Sequence, residues 1–250
     1  MNLVIDIGNT LCKAAVFDGD RLAALWSGER PDDLNIPAVV QEHGVEAVIV
    51  STVRKQDDKE IALLIKGLND AGLKIITAGP HLKLPVKILY KTPQSLGTDR
   101  IASAVAAHSM FPGGDVLVIN AGTCLTLDFV NSKGEYLGGT ISPGLRMRFR
   151  ALGDYTANLP FIDSEKGESL EKGLALPGHT TVDSIKLGVI AGMAAEIDGL
   201  IGLWKEKIRK INVILSGGDI KTFDKKLKNR IFAVENIVLL GLNQMLNHNV

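Results

Sequence analysis

Two carboxylates and two glycine-centred turns carry most of the chemistry this sequence can offer. Asp6 closes the apolar run 2–7 and precedes Gly8-Asn9-Thr10, after which a second run opens on Leu11-Cys12-Lys13. A hairpin turn of Gly, Asn and Thr exposes backbone N–H groups and small polar donors, which suits phosphate oxygens. Gly8 permits close approach, Asn9 and Thr10 can donate, and Lys13 adds positive charge. Asp6 aims a hard carboxylate at the same place, as magnesium held largely through water requires. A tight turn beside a satisfied aspartate would read the same way. The turn Gly122-Thr123, between the runs 115–122 and 124–130, repeats the arrangement and strengthens the phosphate reading.

The second carboxylate, Asp99, lies in "LGTDR" (96–100). At a helix start it is placed to accept a proton from a substrate hydroxyl, as phosphoryl transfer asks of one positioned carboxylate. Arg100 offers a planar fork for a substrate carboxylate. Thr98 as N-cap, with a solvated arginine nearby, is the plainer account of the same residues. "SGGD" (216–219) follows a buried-strand pattern, and its Gly pair lets a flat adenine or ribose lie against backbone. A simple strand-to-helix turn also fits. "GGTISPG" (138–144) has too many glycines, and a proline, for a simple strand end and is expected to be a loop. Thr180 and Asp183 have capping-box spacing. No Walker A motif is present, because Leu73 stands where the lysine after Gly67 and Gly72 belongs, and no GxGxxG occurs. ATP would therefore be held by a clamp of two hairpins.

The elements that position these residues follow from pattern. Runs 2–7 and 11–17 form a hairpin, and "RLAALWSGE" adds a third strand after Asp18-Gly19-Asp20. A helix near 34–43, a buried strand 46–53, a helix from about 57 to 71 and the strand "LKIITAG" complete the half. An alanine-rich helix opens at Thr98. The second half repeats the order: strands 115–122 and 124–130, a third strand after Lys133-Gly134, a helix from Thr181 to about Lys210, the strand "INVILSGGD" and a helix over 236–247. Asp6 aligns with Asn120, Gly8 with Gly122 and Asn9 with Thr123, which duplication explains better than coincidental hairpins. Three strands followed by alternating helix and strand imply an α/β chain of two ribonuclease-H-like domains, 1–113 and 114–250, with an interdomain ATP cleft.

Composition narrows the class. The 250 residues are 46% hydrophobic and 22% charged, and 28 Lys and Arg balance 28 Asp and Glu, which argues against disorder and against nucleic-acid or anionic-membrane partners. The two cysteines, Cys12 and Cys124, form no CxxC pair, so a disulfide framework or zinc site is not expected and a reducing cytoplasm fits. The apolar run 185–204 contains Lys186, Glu196 and Asp198 and reads as a buried helix rather than a membrane span. No signal peptide is expected.

Taken together, "DIGNT" (6–10), "STV" (51–53), "LGTDR" (96–100), "AGTCLTLD" (121–128), "GGTISPG" (138–144), "TTVDS" (180–184) and "SGGD" (216–219) resemble the type III pantothenate kinase family, within the acetate and sugar kinase and actin-like ATPase superfamily. The resemblance implies ATP-dependent phosphorylation of the primary hydroxyl of pantothenate, the first step toward coenzyme A. It implies that Asp6, Ile7, Gly8, Asn9, Thr10, Leu11, Cys12, Lys13 and Thr123 contact ATP, with Asp6 near magnesium. Asp99 would be the proton acceptor. Tyr90, Gly97, Thr98, Asp99, Arg100 and Thr181 would hold pantothenate. It further implies a cytoplasmic homodimer and a monovalent cation, potassium or ammonium. The family carries Asp as cation ligand where this chain has Asn120, which keeps a carbonyl oxygen and loses the charge. Two other classes compete: a non-enzymatic regulator on the same scaffold, against which Asp6, Asp99 and Arg100 argue, and an ATPase acting on a protein, for which the chain lacks long insertions.

Overall fold

The computed structural model describes residues 1–54, 58–163 and 176–250. The first sheet is built from β1 (Asn2–Ile7), β2 (Cys12–Asp18), β3 (Arg21–Gly28), β4 (Ala47–Thr52) and β5 (Lys74–Thr77), in the order β3-β2-β1-β4-β5. Strand β1 pairs antiparallel with β2 and parallel with β4. It is covered on both faces, which is why its apolar run is unbroken, whereas β3 is mostly exposed. A 3-10 turn (Pro31–Leu34), α1 (Ile36–His43) and α2 (Lys59–Asp70) complete the connections. Asp58 caps α2 by accepting from the Glu60 N–H. Residue 57, where the expected helix begins, lies outside the described residues.

A short β6 (Lys87–Ile88) and a 3-10 turn (Pro93–Ser95) lead into α3 (Thr98–Met110). The next strands are β7 (Asp115–Ala121), β8 (Cys124–Val130) and β9 (Glu135–Pro143), followed by α4 (Leu145–Asp154) and α5 (Thr181–Lys207). Then come β10 (Ile211–Ser216), a single turn α6 (Ile220–Phe223), β11 (Phe232–Ala233) and α7 (Ile237–Asn247). The second sheet runs β11-β10-β7-β8-β9-β6, with β10 parallel to both β7 and β11. Its strands from β9 to β11 repeat the third-second-first-fourth-fifth order of the first sheet, as the duplication reading expects.

Contacts gather the chain into two compact units. One is Met1–Gly114 with Asp128–Gly138 and Asn236–Val250; the other is Asp115–Leu127 with Gly139–Glu235. In the first, α3 is buried from Arg100 to Ala107, with α7 against it. Their crossing depends on Gly241, since a Cβ there would fall 1.8 Å from the Ala102 carbonyl oxygen. The core joins Ile101, Ala104 and Val105 of α3 to Leu239, Leu242 and Met245 of α7 and to Val4 and Ile49 of the sheet.

In the second unit α5 is long and apolar enough to cross a membrane by length and composition. Its carboxylates have protein partners: Glu196 pairs with Arg148 of α4 and accepts from the Ser142 hydroxyl at 2.6 Å. Asp198 accepts from the backbone N–H groups of Lys228 and Asn229, and those donors hold its carboxyl below the usual range against the opposing effect of burial.

Two expectations fail locally, and one helix stands where none was read. Residues 138–143 belong to β9 and are not a loop; β6 pairs only with Glu135 and Tyr136, so the stretch to Pro143 lacks a strand there and tolerates Gly and Pro. Thr98 is the first residue of α3, not its cap; Gly97 holds that position. Helix α4 was not expected, since it follows "SPG" and carries three arginines, Arg146, Arg148 and Arg150.

Candidate active site

In the first unit the residues gather at the C-terminal end of β1. Asp6 stands opposite Lys13 in the antiparallel register and opposite Ser51 in the parallel one. The Ser51 hydroxyl donates to Asp6 Oδ1 at 2.9 Å and lies 2.9 Å from the Thr98 hydroxyl. Ser51 is fully buried, so both partners matter. One ordering satisfies all three groups: Thr98 donates to Ser51, and Ser51 donates to Asp6. Thr98 then faces a ligand with lone pairs only.

The partly exposed edge of Asp6 does not spare it the cost of burial. Burial pushes its carboxyl up to about 6, with the Ser51 hydroxyl and Lys13 pulling back and Asp99 adding to the rise. At pH 7 it is still mostly ionised. Asp99 is raised for the same first reason, partly offset by the Arg100 N–H. Its carboxylate folds over Gly97, where any Cβ would lie 2.4 Å from Oδ1. Gly97 thus leaves Asp99 the room it occupies. The Lys13 ammonium donates to Asn236 Oδ1 at 2.9 Å. Ile7 and Cys12 are buried, so they offer only backbone to a ligand; Asn9, Thr10 and Leu11 are exposed.

Arg100 has a partner the sequence did not reveal. Its Nε and Nη2 grip the Asp128 carboxylate at 2.9 and 2.6 Å, and Tyr136 donates its hydroxyl to the same Asp128 oxygen at 2.7 Å. The guanidinium lies 5.9 Å from the centre of the Tyr90 ring. Burial works against the Arg100 charge, but the bonds to Asp128 outweigh it and hold the guanidinium ionised. Burial and then Asp128 push the Tyr136 phenol up. The fork offered to a substrate is therefore held by Asp128, and Nη1 is the nitrogen outside that grip. Ser51, Asp128 and Tyr136 were not among the expected site residues; Ser51 and Asp128 had a signal, their places in "STV" and at the end of "AGTCLTLD", and Tyr136 had none.

The second unit holds Asn120, Thr123 and Thr181. The turn between β7 and β8 is closed by Gly122 N–H donating to the Cys124 carbonyl at 3.1 Å. Ala121 O accepts from Asp219 N–H at 3.0 Å, and Thr123 O from Gly144 N–H at 3.2 Å. These contacts demand glycine. A Cβ at Gly217, whose φ is +104°, would fall 2.1 Å from Ala121 O, and one at Gly144 would fall 2.1 Å from Gly122 O. Burial alone pushes the Asp219 carboxyl up to about 6.

Thr181 opens α5 behind an N-cap at the position the sequence indicated: Thr180 Oγ1 accepts from the Asp183 N–H at 3.1 Å and donates to the Asp183 carboxylate at 2.8 Å. Asp183 thus meets the cap's hydroxyl rather than its backbone N–H as in a full capping box. Thr181 lines a cavity of about 630 Å³ with Pro143, Arg148, Leu159, Ser184 and Ile185. Among the described residues no cluster of three or more His, Cys, Asp or Glu could hold a metal ion.

The type III pantothenate kinase of Bacteroides fragilis is 43% identical over 249 residues, spanning 100% of this chain and 98% of that one. The enzyme of that name from Cytophaga hutchinsonii is 41% identical over 253 residues, spanning 100% of both. A ROK family glucokinase from Streptomyces griseus, solved with glucose and AMPPNP, superposes with a TM-score of 0.55 at 14% identity, covering 98% of this chain and 99% of that one. The fold is thus that of the sugar kinases and actin-like ATPases, with mixed sheets in two domains. The sequence model of type III pantothenate kinase matches residues 2–202. The chain belongs to the type III pantothenate kinase family, whose members phosphorylate pantothenate on the way to coenzyme A.

Proposed function

We propose that the chain transfers the γ-phosphoryl group of ATP to the primary hydroxyl of pantothenate, with Asp99 accepting the hydroxyl proton. The observation that carries this reading is the Asp6–Ser51–Thr98 hydrogen-bond chain, which ties the carboxylate beside the first turn to the start of the helix that bears Asp99. In this reading the turn Gly8–Leu11 receives ATP phosphates on its N–H groups, flanked by Ile7, Cys12 and Lys13, while Thr123 adds a contact from its own turn. Pantothenate would meet Tyr90, Gly97, Thr98, Arg100 and Thr181. Thr98 would accept from a substrate donor, and Arg100 would use its Nη1 edge on the carboxylate.

Asp6 fits magnesium as a lone hard carboxylate fits it, through water and the phosphates rather than in a protein cage. The ion would neutralise charge on the transferring phosphoryl group. Asn120 offers one carbonyl oxygen to potassium or ammonium. The apolar-lined cavity beside Thr181 supports a homodimer with α5 near its interface, and the charge balance supports a cytoplasmic enzyme without nucleic-acid or membrane partners.

An assay coupling ADP release to NADH oxidation tests the reaction. ADP release that depends on pantothenate is expected. Binding of ATP with no pantothenate-dependent turnover at any potassium or ammonium concentration would refute it.

A further inference from the structure

Arg54 lies outside every motif that marks the site, two residues beyond the end of β4. Its backbone N–H donates to Thr52 Oγ1 at 3.0 Å, and the preceding Val53 N–H donates to Ile7 O at 3.3 Å, so the segment follows the end of β1. The side chain then reaches behind the first turn. Its Nε donates to Gly8 O at 3.1 Å, and its Nη2 donates to Glu29 O at 3.3 Å and lies 3.6 Å from Cys12 Sγ. Nη1 stands 3.9 Å from Asp58 and 3.7 Å from Glu60, and the side chain is 21% exposed.

The hold on Gly8 O has a geometric consequence. A trans peptide is planar, with its C=O and N–H pointing in opposite directions. A donor that fixes the Gly8 carbonyl toward Arg54 therefore turns the Asn9 N–H away from it, toward the exposed side of the turn. In a tight two-residue hairpin the Gly8 carbonyl would accept from the Leu11 N–H. Here Gly8 N–H donates to Leu11 O at 3.0 Å, but among the described residues no backbone acceptor takes the Leu11 N–H. The turn is pinned on one side and open on the other, and Asn9, Thr10 and Leu11 are exposed around the opening. With Asp58 and Glu60 flanking the guanidinium, its net charge toward a phosphate is muted, and geometry is its main contribution.

We infer that Arg54 is a positioning residue for the phosphate-binding turn: it holds the Gly8–Asn9 peptide in the orientation that presents N–H groups to a polyphosphate. The inference rests on the reading that this turn binds ATP phosphates. Lysine has the charge and three donors, but all on one nitrogen at the end of its stem, so it cannot reproduce the two separated nitrogens, Nε on Gly8 O and Nη2 on Glu29 O, that arginine uses here.

The test compares ADP with adenosine in direct titrations of the full-length wild type, Arg54→Lys and Arg54→Met, alongside KM for ATP and pantothenate. Arg54→Met should weaken ADP binding by about tenfold or more, the worth of one charge-assisted hydrogen bond. Adenosine affinity and the pantothenate KM should not change. Arg54→Lys, the gentler change for folding, should also weaken ADP more than adenosine. Equal losses for ADP and adenosine, an unchanged ADP affinity, or full rescue by lysine would each overturn the positioning role. A wild type that binds ADP no better than adenosine would overturn the phosphate reading of the turn, and the role of Arg54 with it.

Discussion

The two hairpin turns solve one problem in different ways. Under the proposed ATP-binding role, each would expose N–H groups and keep its own carbonyls occupied elsewhere. At the strand ends the two are alike, with Val53 N–H on Ile7 O and Asp219 N–H on Ala121 O. Within the turns they differ: the Arg54 side chain, 46 residues along the chain, holds the Gly8 carbonyl, whereas the backbone N–H of Gly144 holds Thr123 O. A side-chain brace needs one long residue and leaves carboxylates room nearby. A backbone brace needs glycines, because the chains approach too closely for a Cβ. The carboxylates differ in placement: Asp6 ends the strand before the first turn, whereas in the second unit Asn120 holds the aligned position and the carboxylate near the turn is that of Asp219.

If the reaction's proton transfer lies in the first unit, the largest effect comes from Asp99→Asn. It should lower kcat by about 10²-fold or more, because a positioned base contributes roughly 10²–10⁴. ADP binding should survive. Near-normal turnover would move the base elsewhere and blur the contrast.

The backbone brace is tested by Gly217→Ala. A Cβ 2.1 Å from Ala121 O, on a residue with φ +104°, forces the second turn to shift. Stability should fall by about 3 kcal/mol in denaturant titrations, from strain and overpacking together. A variant within about 0.5 kcal/mol of wild type would show that this turn yields easily, contrary to the comparison.

Asp219 tests whether the second turn tolerates charge. Its folded carboxyl titrates near 6, above the 3.8 of a free aspartate, because burial disfavours the anion. The folded state holds this proton more tightly, so the contribution of Asp219 to stability is fully present below about pH 4 and is lost as pH rises through about 6. Asp219→Asn should therefore stabilise the ligand-free protein at pH 7 by about 1 kcal/mol, after allowing for the solvent that reaches the group. The gain should vanish below pH 4. A gain that persists there would have a cause other than the charge.

The smallest effect is expected from Asn120→Asp. A carboxylate binds a hard cation more firmly than an amide carbonyl, and a partly screened charge is worth less than about 1 kcal/mol. Half-maximal activity should need about threefold less potassium in the variant, measured at constant ionic strength against a bulky organic cation. Coincident curves would mean that Asn120 is not a cation ligand.

What the sequence disclosed depended on the range of each interaction. The hairpins were legible from Gly8-Asn9-Thr10 and Gly122-Thr123, because turn chemistry is local. The Thr180 cap was legible for the same reason, Thr180 and Asp183 being three residues apart. The Arg100–Asp128 grip spans 28 residues and Ser51–Thr98 spans 47, and no periodicity reports such pairs. Thr98 read as a cap because its hydroxyl was free to bond locally; buried Ser51 captured it instead. Residues 138–143 read as a loop because Gly and Pro break strands in general, while β9 keeps them where β6 no longer pairs.

The close crossing of α3 and α7 at Gly241 also bears on how the protein is made. Asp6, Ser51, Thr98 and Asp99 are all translated before residue 100, yet the unit that holds them includes Asn236–Val250. Asn2 waits for Asn243 and Asn247, whose side chains it bonds at 2.9 and 2.6 Å. Domains on a ribosome commonly fold in the order they emerge. Here the unit begun first is finished last, and the stretch Gly139–Glu235 is synthesised while α3 still lacks its cover. Emergence of α7, rather than of the first hundred or so residues, sets the moment at which Asp6 and Asp99 acquire their final surroundings.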